Sequence, residues 1–175
     1  MTCNPNVILR EGLLGLVLLL ALPSAWAEAP DGCSAEVYRA LDFWLGRWEV
    51  HLEDGRRAGA NRIESSADGC LIRESWTGAG GGEGYSMSFY DPTADRWRQV
   101  WVSAASLIEI AGGPVEDGSM VLSGEITYRQ TGDVRPFRGR WTPMPDGRVR
   151  QFFEELDDEE GWQSWFDGIY TKVLE

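Results

Sequence analysis

The chain beyond residue 46 predicts an all-β domain: an antiparallel meander of about ten short strands, closed into a β-barrel. Three observations carry this. Trp48, Val50 and Leu52 alternate with Glu49, His51 and Glu53, the period of a strand with one face buried. Asp-Gly recurs at 54–55, 68–69, 117–118 and 146–147, and a tight hairpin turn needs the positive φ that glycine adopts freely. No helical stretch separates the later apolar segments, which excludes parallel strand–helix–strand units. So long a meander exposes its edges unless it closes or splits into two packed sheets. Closure is the expectation, and a sandwich the alternative.

One short N-terminal helix precedes the strands. Ser34 is placed to cap it, Glu36 suits the positive end of its dipole, and Val37, Leu41, Trp44 and Leu45 recur at helical spacing. The spacing predicts a helix over Ser34–Leu45, ended by Gly46. After the first strand, the expected strands are Ala60–Ser65, Cys70–Trp76, Tyr85–Tyr90, Trp97–Ser103 and Leu107–Ala111. Met120–Tyr128, Phe137–Thr142, Val149–Leu156 and Ser164–Val173 follow. Asp91-Pro92 with Ala94-Asp95 marks a further turn. Asp167-Gly168 falls inside the last strand, where it marks a bulge or a close backbone approach.

The N-terminus reads as a secretory signal peptide over residues 1–27. Leu13 to Leu22 is an apolar run too short to span a bilayer, Pro23 and Ser24 break it, and Ala25-Trp26-Ala27 is a small-x-small cleavage site. An uncleaved anchor is the alternative. Residues 28–175 then form one domain, with periplasm or secretion as its destination. Cleavage removes Cys3 and leaves Cys33 and Cys70, an even pair that reads as a disulfide in an oxidising compartment. The formal net charge of −12 argues against nucleic acid and anionic membrane surfaces as partners. Oligomeric state is not legible.

Phe43-Trp44-Leu45-Gly46-Arg47-Trp48 resembles the Gly-x-Trp lead-in of lipocalin-like barrels. There a short helix feeds the first strand, and a basic residue from the last strand packs over the Trp; the resemblance gives that role to Lys172. Phe89-Tyr90-Asp91-Pro92, Trp97-Arg98-Gln99-Val100-Trp101, Trp141-Thr142-Pro143, Val149-Arg150-Gln151 and Phe166-Asp167-Gly168-Ile169-Tyr170 extend the likeness. Together they resemble a bacterial family of exported, functionally uncharacterised lipocalin-like (calycin-type) β-barrels. The resemblance implies a fold and no activity.

No catalytic residue is assigned. His51, the sole histidine, shares a strand face with Glu49 and Glu53 and is expected toward solvent. Gly84-Tyr85-Ser86-Met87-Ser88 lacks the closing glycine and the following helix of a nucleophile elbow. One histidine and a paired Cys set cannot build a zinc site, and no axial ligand for haem is well placed, so no metal or cofactor is expected. Asp157-Asp158-Glu159-Glu160 lacks calcium-loop spacing and reads as a solvated turn. The cluster Gly78, Gly80, Gly81, Gly82 and Gly84 lacks a Lys-Ser/Thr and a helix, and reads as a flexible loop at the barrel mouth, able to serve as a lid.

What stands out is tryptophan on alternating faces with isolated polar residues. Trp97, Gln99 and Trp101 share one face, as do Cys70, Ile72, Glu74 and Trp76 on another strand, and Trp165, Asp167, Ile169 and Thr171 near the end. Such faces suit either a ligand cavity, apolar with a few fixed polar groups, or a filled barrel interior. Glu74, Trp76, Trp97, Gln99, Trp101, Gln151 and Trp165 are the candidate lining for a small, partly apolar ligand. A cofactor-free isomerase or lyase using buried Glu74 or Asp167 as base is a second reading, and a filled envelope module a third. Arg138, Arg140, Arg148 and Arg150 fall on the two arms of one hairpin. If their faces coincide they need neutralising, by the Asp157–Glu160 turn or by a bound anion. Mass analysis of the mature protein is expected to find Glu28 first and no free thiol.

Overall fold

Period-two alternation runs through ten strands, and hydrogen bonding between the first and the last closes them. The computed structural model describes residues 32–173 and the isolated Met1. The apolar leader and its cleavage motif lie outside the described residues. The strands are β1 (Gly46–Leu52), β2 (Arg57–Ser66), β3 (Leu71–Gly78), β4 (Glu83–Asp91), β5 (Arg96–Ser103), β6 (Ser106–Pro114), β7 (Met120–Tyr128), β8 (Val134–Pro143), β9 (Val149–Asp157) and β10 (Gly161–Lys172). Each pairs antiparallel with its neighbour in sequence, and β1 pairs with β10 from Trp48↔Lys172 to Leu52↔Gly168. The barrel therefore has no free edge.

An up-and-down order puts successive hairpin turns at alternate ends. One end carries the β2–β3, β4–β5, β6–β7 and β8–β9 turns together with the N-terminal lead-in. This end is plugged. Leu41, Trp44, Trp48, Met120, Trp141 and Val149 are all buried to within 1 %. Trp44 packs edge-on against Trp141 at 5.7 Å and Tyr170 at 6.3 Å, geometries that the ring quadrupole favours. Trp48 donates its indole N–H to the Trp44 carbonyl at 2.9 Å, and the Lys172 ammonium lies 5.3 Å from its ring centroid. The last strand thus covers the first tryptophan with a cation.

The lead-in departs from the expected single helix. Residues 34–45 form two 3-10 turns, Glu36–Arg39 and Asp42–Trp44, and Ser34 caps neither. Leu41, at φ −112° and ψ 9°, breaks the run between them. Tertiary anchors override the helical spacing: Cys33 is bonded to Cys70, and Arg39 donates to the Gly69 carbonyl at 2.5 Å. Leu41 and Trp44, three residues apart, then enter the barrel end on the same side of a three-residue turn.

The structure also corrects two surface expectations. The four arginines of the β8–β9 hairpin are neutralised one by one: Arg138 by Glu154 (2.7 Å), Arg140 by Asp117, Arg148 by Asp146 (2.8 Å) and Arg150 by Asp167 (2.5 Å). The acidic turn spares only Asp157 for pairing, and it pairs with Arg135 at 3.4 Å. The glycine cluster after Trp76 is not a loose lid. Gly78 donates to Gly82, Gly81 to Gly78 and Ala79 to Ala58, all within 2.9 Å, so the segment is a tight hydrogen-bonded turn.

The Cys33–Cys70 bridge closes a sequence separation of 37, for which denatured-state entropy gives about 4 kcal/mol. Denaturant melts of the Cys33→Ser/Cys70→Ser double variant are expected to show a loss of about that size, with the barrel circular dichroism retained.

Candidate functional site

The inward faces of β3, β5 and β9 each bring a polar residue to the barrel axis beside a large ring. From β3 come Ile72, Glu74 and Trp76; from β5, Gln99 and Trp101; from β9, Gln151 and Phe153. Strand register aligns them, with Glu74 opposite Ser86, Ser86 opposite Trp101, and Gln99 opposite Ser88. At the unplugged end these faces enclose a cavity of about 130 Å³, lined by Glu74, Trp76, Gln99, Trp101, Ile108, Gln151, Phe153, Trp165, Phe166 and Tyr170. The barrel is therefore packed at one end and holds a small cavity toward the other.

The floor of the cavity is a buried polar network. Glu74, 4 % exposed, accepts from Asn61 Nδ2 at 2.7 Å and from Ser86 Oγ at 2.5 Å, one bond on each oxygen. Asn61 Nδ2 also reaches the Tyr170 hydroxyl at 3.2 Å, and that hydroxyl donates to Gln151 Oε1. Gln99 Nε2 donates to Ser88 Oγ at 3.0 Å. No Lys, Arg or His among the described residues lines the cavity. Without a cation beside it, desolvation dominates and pushes the Glu74 carboxyl up to about 7, against the opposing hydrogen bonds from Ser86 and Asn61. The same burial raises the Tyr170 hydroxyl well above its ordinary range. Trp101 Nε1 and Asn61 Oδ1 are buried without a hydrogen-bond partner among the described residues.

Glycines make room for the wall. An added Cβ on Gly59 would strike the Trp76 ring at 2.7 Å and the Thr77 carbonyl, and one on Gly84 would collide with the Trp101 indole. Each indole lies across a neighbouring strand in the space a side chain would fill, against the barrel wall. That placement sets both rings beside the wall, where they line the cavity.

Six of the seven candidate residues from the sequence surround this cavity: Glu74, Trp76, Gln99, Trp101, Gln151 and Trp165. Trp97 does not. It faces inward but lies at the plugged end, 2 % exposed, donating to the Val37 carbonyl at 3.1 Å. Pleat alternation assigns a face, and height along the axis separates Trp97 from Trp101.

The last strand corrects a second expectation. Its register shifts between Ser164 and Phe166, so the bulge is at Trp165 and not at Asp167-Gly168. The shift turns Phe166, Gly168 and Tyr170 inward while leaving Trp165 at the mouth, 37 % exposed and bonded from its indole N–H to the Tyr128 hydroxyl at 3.2 Å. Gly168 is the close approach that the sequence offered as the alternative to a bulge, with the Phe166 ring and Val50 beside it. Asp167 stands on the outer face, clamped by Arg150 at 2.8 and 2.5 Å. It is therefore no candidate base in the cavity. His51 stands on the outer face too, opposite Ile169.

Sequence reasoning missed Asn61, Ser86, Tyr170 and Phe166. Asn61 carried a signal, alternating with Gly59 and Ile63 on a buried face; Tyr170 was hidden by the bulge. Among the described residues no group of three His, Cys, Asp or Glu side chains could hold a metal ion.

A raised carboxyl fixes the sign of a pH effect. Between about 4.5 and about 7 the folded state holds a proton on Glu74 that the unfolded chain has released. Stability from this group is thus complete at the acid side and is lost as pH rises to about 7, by about 3 kcal/mol. Chemical denaturation across that range is expected to show this decline in the wild type and a flatter profile in Glu74→Gln.

No protein-family model and no curated protein matches this chain.

Proposed function

We propose that this protein is an exported, lipocalin-like carrier that holds one small, partly apolar ligand in the cavity at its open end. The observation that carries the reading is the cavity's composition. Six aromatic rings supply apolar wall, and Glu74, Gln99 and Gln151 supply fixed polar groups at the floor, the mixture that orients and buries a small molecule. At about 130 Å³ the space is near that of a void of ~150 Å³ that takes up benzene. The ligand is accordingly a single ring or a compact branched molecule. Support for the lipocalin likeness comes from the Gly46-Arg47-Trp48 lead-in, with Lys172 over Trp48. The disulfide supports export, since such bridges persist in oxidising compartments.

One observation favours a second reading. A carboxyl raised to about 7 in a cavity has the proton affinity of a general acid–base catalyst near neutrality. A cofactor-free isomerisation would then use Glu74 alone, since Asp167 faces outward.

Native mass spectrometry of protein purified from its own cells separates these readings. A carrier is expected to retain a small molecule, and Gly84→Val, which forces the Trp101 indole into the lumen, is expected to lose it. An unoccupied wild type that no small-molecule panel stabilises against heat points to a barrel acting through its surface. Release of the retained compound in chemically altered form points to the enzyme.

A further inference from the structure

The cavity is built asymmetrically in charge. Its one ionisable acid, Glu74, is buried, and both of its oxygens accept hydrogen bonds, from Asn61 on β2 and Ser86 on β4. Donors on both oxygens are the partner set of a carboxylate, which is acceptor-only when ionised. Tyr170 on β10 is the one other titratable group among the described residues that faces this network. Among the described residues none of these elements brings a basic side chain to it, and no basic side chain lines the cavity. A buried carboxylate without a counter-ion is costly, and folded proteins ordinarily pair it.

The surrounding wall supplies what a cation needs. Trp76 and Trp101 lie against the wall over Gly59 and Gly84 and line the cavity. Trp165 and Phe166 flank the mouth. The negative face of an aromatic ring attracts a cation, most strongly for Trp, and more so once water is excluded. The mouth opens onto a groove where Glu53, Asp54 and Asp167 stand beside Arg56 and Arg57, and the chain as a whole carries −12. Neither repels a cation on approach.

We propose that the cavity binds a compact organic ammonium, with its alkyl groups against Trp76, Trp101 and Trp165 and its charge paired with the Glu74 carboxylate. This rests on the carrier reading of the same cavity. The missing counter-ion of Glu74 is then the ligand itself, and the cavity volume limits the head to a few methyl groups around one nitrogen. Linkage follows: binding favours the ionised carboxylate, so affinity rises with pH until Glu74 is deprotonated in the free protein.

The test uses tryptophan fluorescence and calorimetric titration with choline and with its uncharged isostere, 3,3-dimethylbutan-1-ol. The expected result is choline binding about tenfold tighter or more, with affinity increasing from about pH 5.5 and levelling above about 7. Glu74→Gln is expected to abolish the preference, and Trp165→Leu, at an exposed position, to weaken choline severalfold. Should Glu74→Gln fail to fold, the wild-type ratio of the two probes and its pH profile decide alone. Equal or tighter binding of the isostere overturns the cation and leaves the carrier reading intact. Binding of neither probe, with a compound retained in the native mass spectrum, does the same. Binding of neither, with nothing retained, overturns both.

Discussion

Pairing of β1 with β10 is the constraint on which the rest of the molecule depends. It joins residues more than a hundred positions apart, from Trp48↔Lys172 to Leu52↔Gly168, and it turns a meander with two exposed edges into a sheet with an inside. Once an inside exists, period-two alternation sends one residue in two to the axis. The chain must then decide what fills that space. Trp44, a residue from before the first strand, enters from one end and meets Trp141 of β8 and Tyr170 of β10 inside the barrel. Closure and plugging therefore support each other: the plug needs the wall, and the rings of the wall need the plug to be fully buried.

The two halves of the lumen follow different physics. At the plugged end, indoles and aliphatic chains pack to near-complete burial, the ordinary source of stability in a small domain. At the open end the same pleat delivers Asn61, Glu74, Ser86, Gln99 and Gln151, all 4 % exposed or less. Interior polar groups are tolerated only when bonded, and these are bonded chiefly to one another, in a web spanning β2, β3, β4, β5, β9 and β10. Such a web confers less stability than a packed apolar core would, and burying Glu74 carries a cost that grows with pH. The glycines beside Trp76 and Trp101 likewise give up packing to leave space. These departures from a filled core coincide at one place, which is the structural reason for locating function there.

Much of this was legible before any coordinates. Alternation marked ten strands, with Met120–Tyr128 matching to the residue, because one face of every strand is buried and the turns carry Asp-Gly. The acid and the two amides of the floor, Glu74, Gln99 and Gln151, stood out as isolated polar residues on aromatic faces. What was not legible was whatever depends on a third dimension. Trp97 and Trp101 share a face yet lie at opposite ends of the lumen, and no periodicity encodes height. One unpaired residue at Trp165 inverted the expected face of everything after it, so that Tyr170 faces in and Asp167 out. The lead-in had helical spacing, but a disulfide and an inserted tryptophan imposed tighter turns. The arginine hairpin found its partners in four separate carboxylates, three of them far along the chain.

The alternation of hairpins between the two ends has a consequence for how such a molecule can change. The turns after β2, β4, β6 and β8 ring the plug, beside the disulfide and the lead-in. Those after β1, β3, β5, β7 and β9 ring the mouth. An insertion or a lost residue in the second set alters the rim without disturbing the buried rings that hold the barrel together. Changes at the rim and changes at the plug therefore fall on different turns, and one set can vary while the other is held. A scaffold divided in this way can have its rim rewritten in five short segments while the folding core stays fixed.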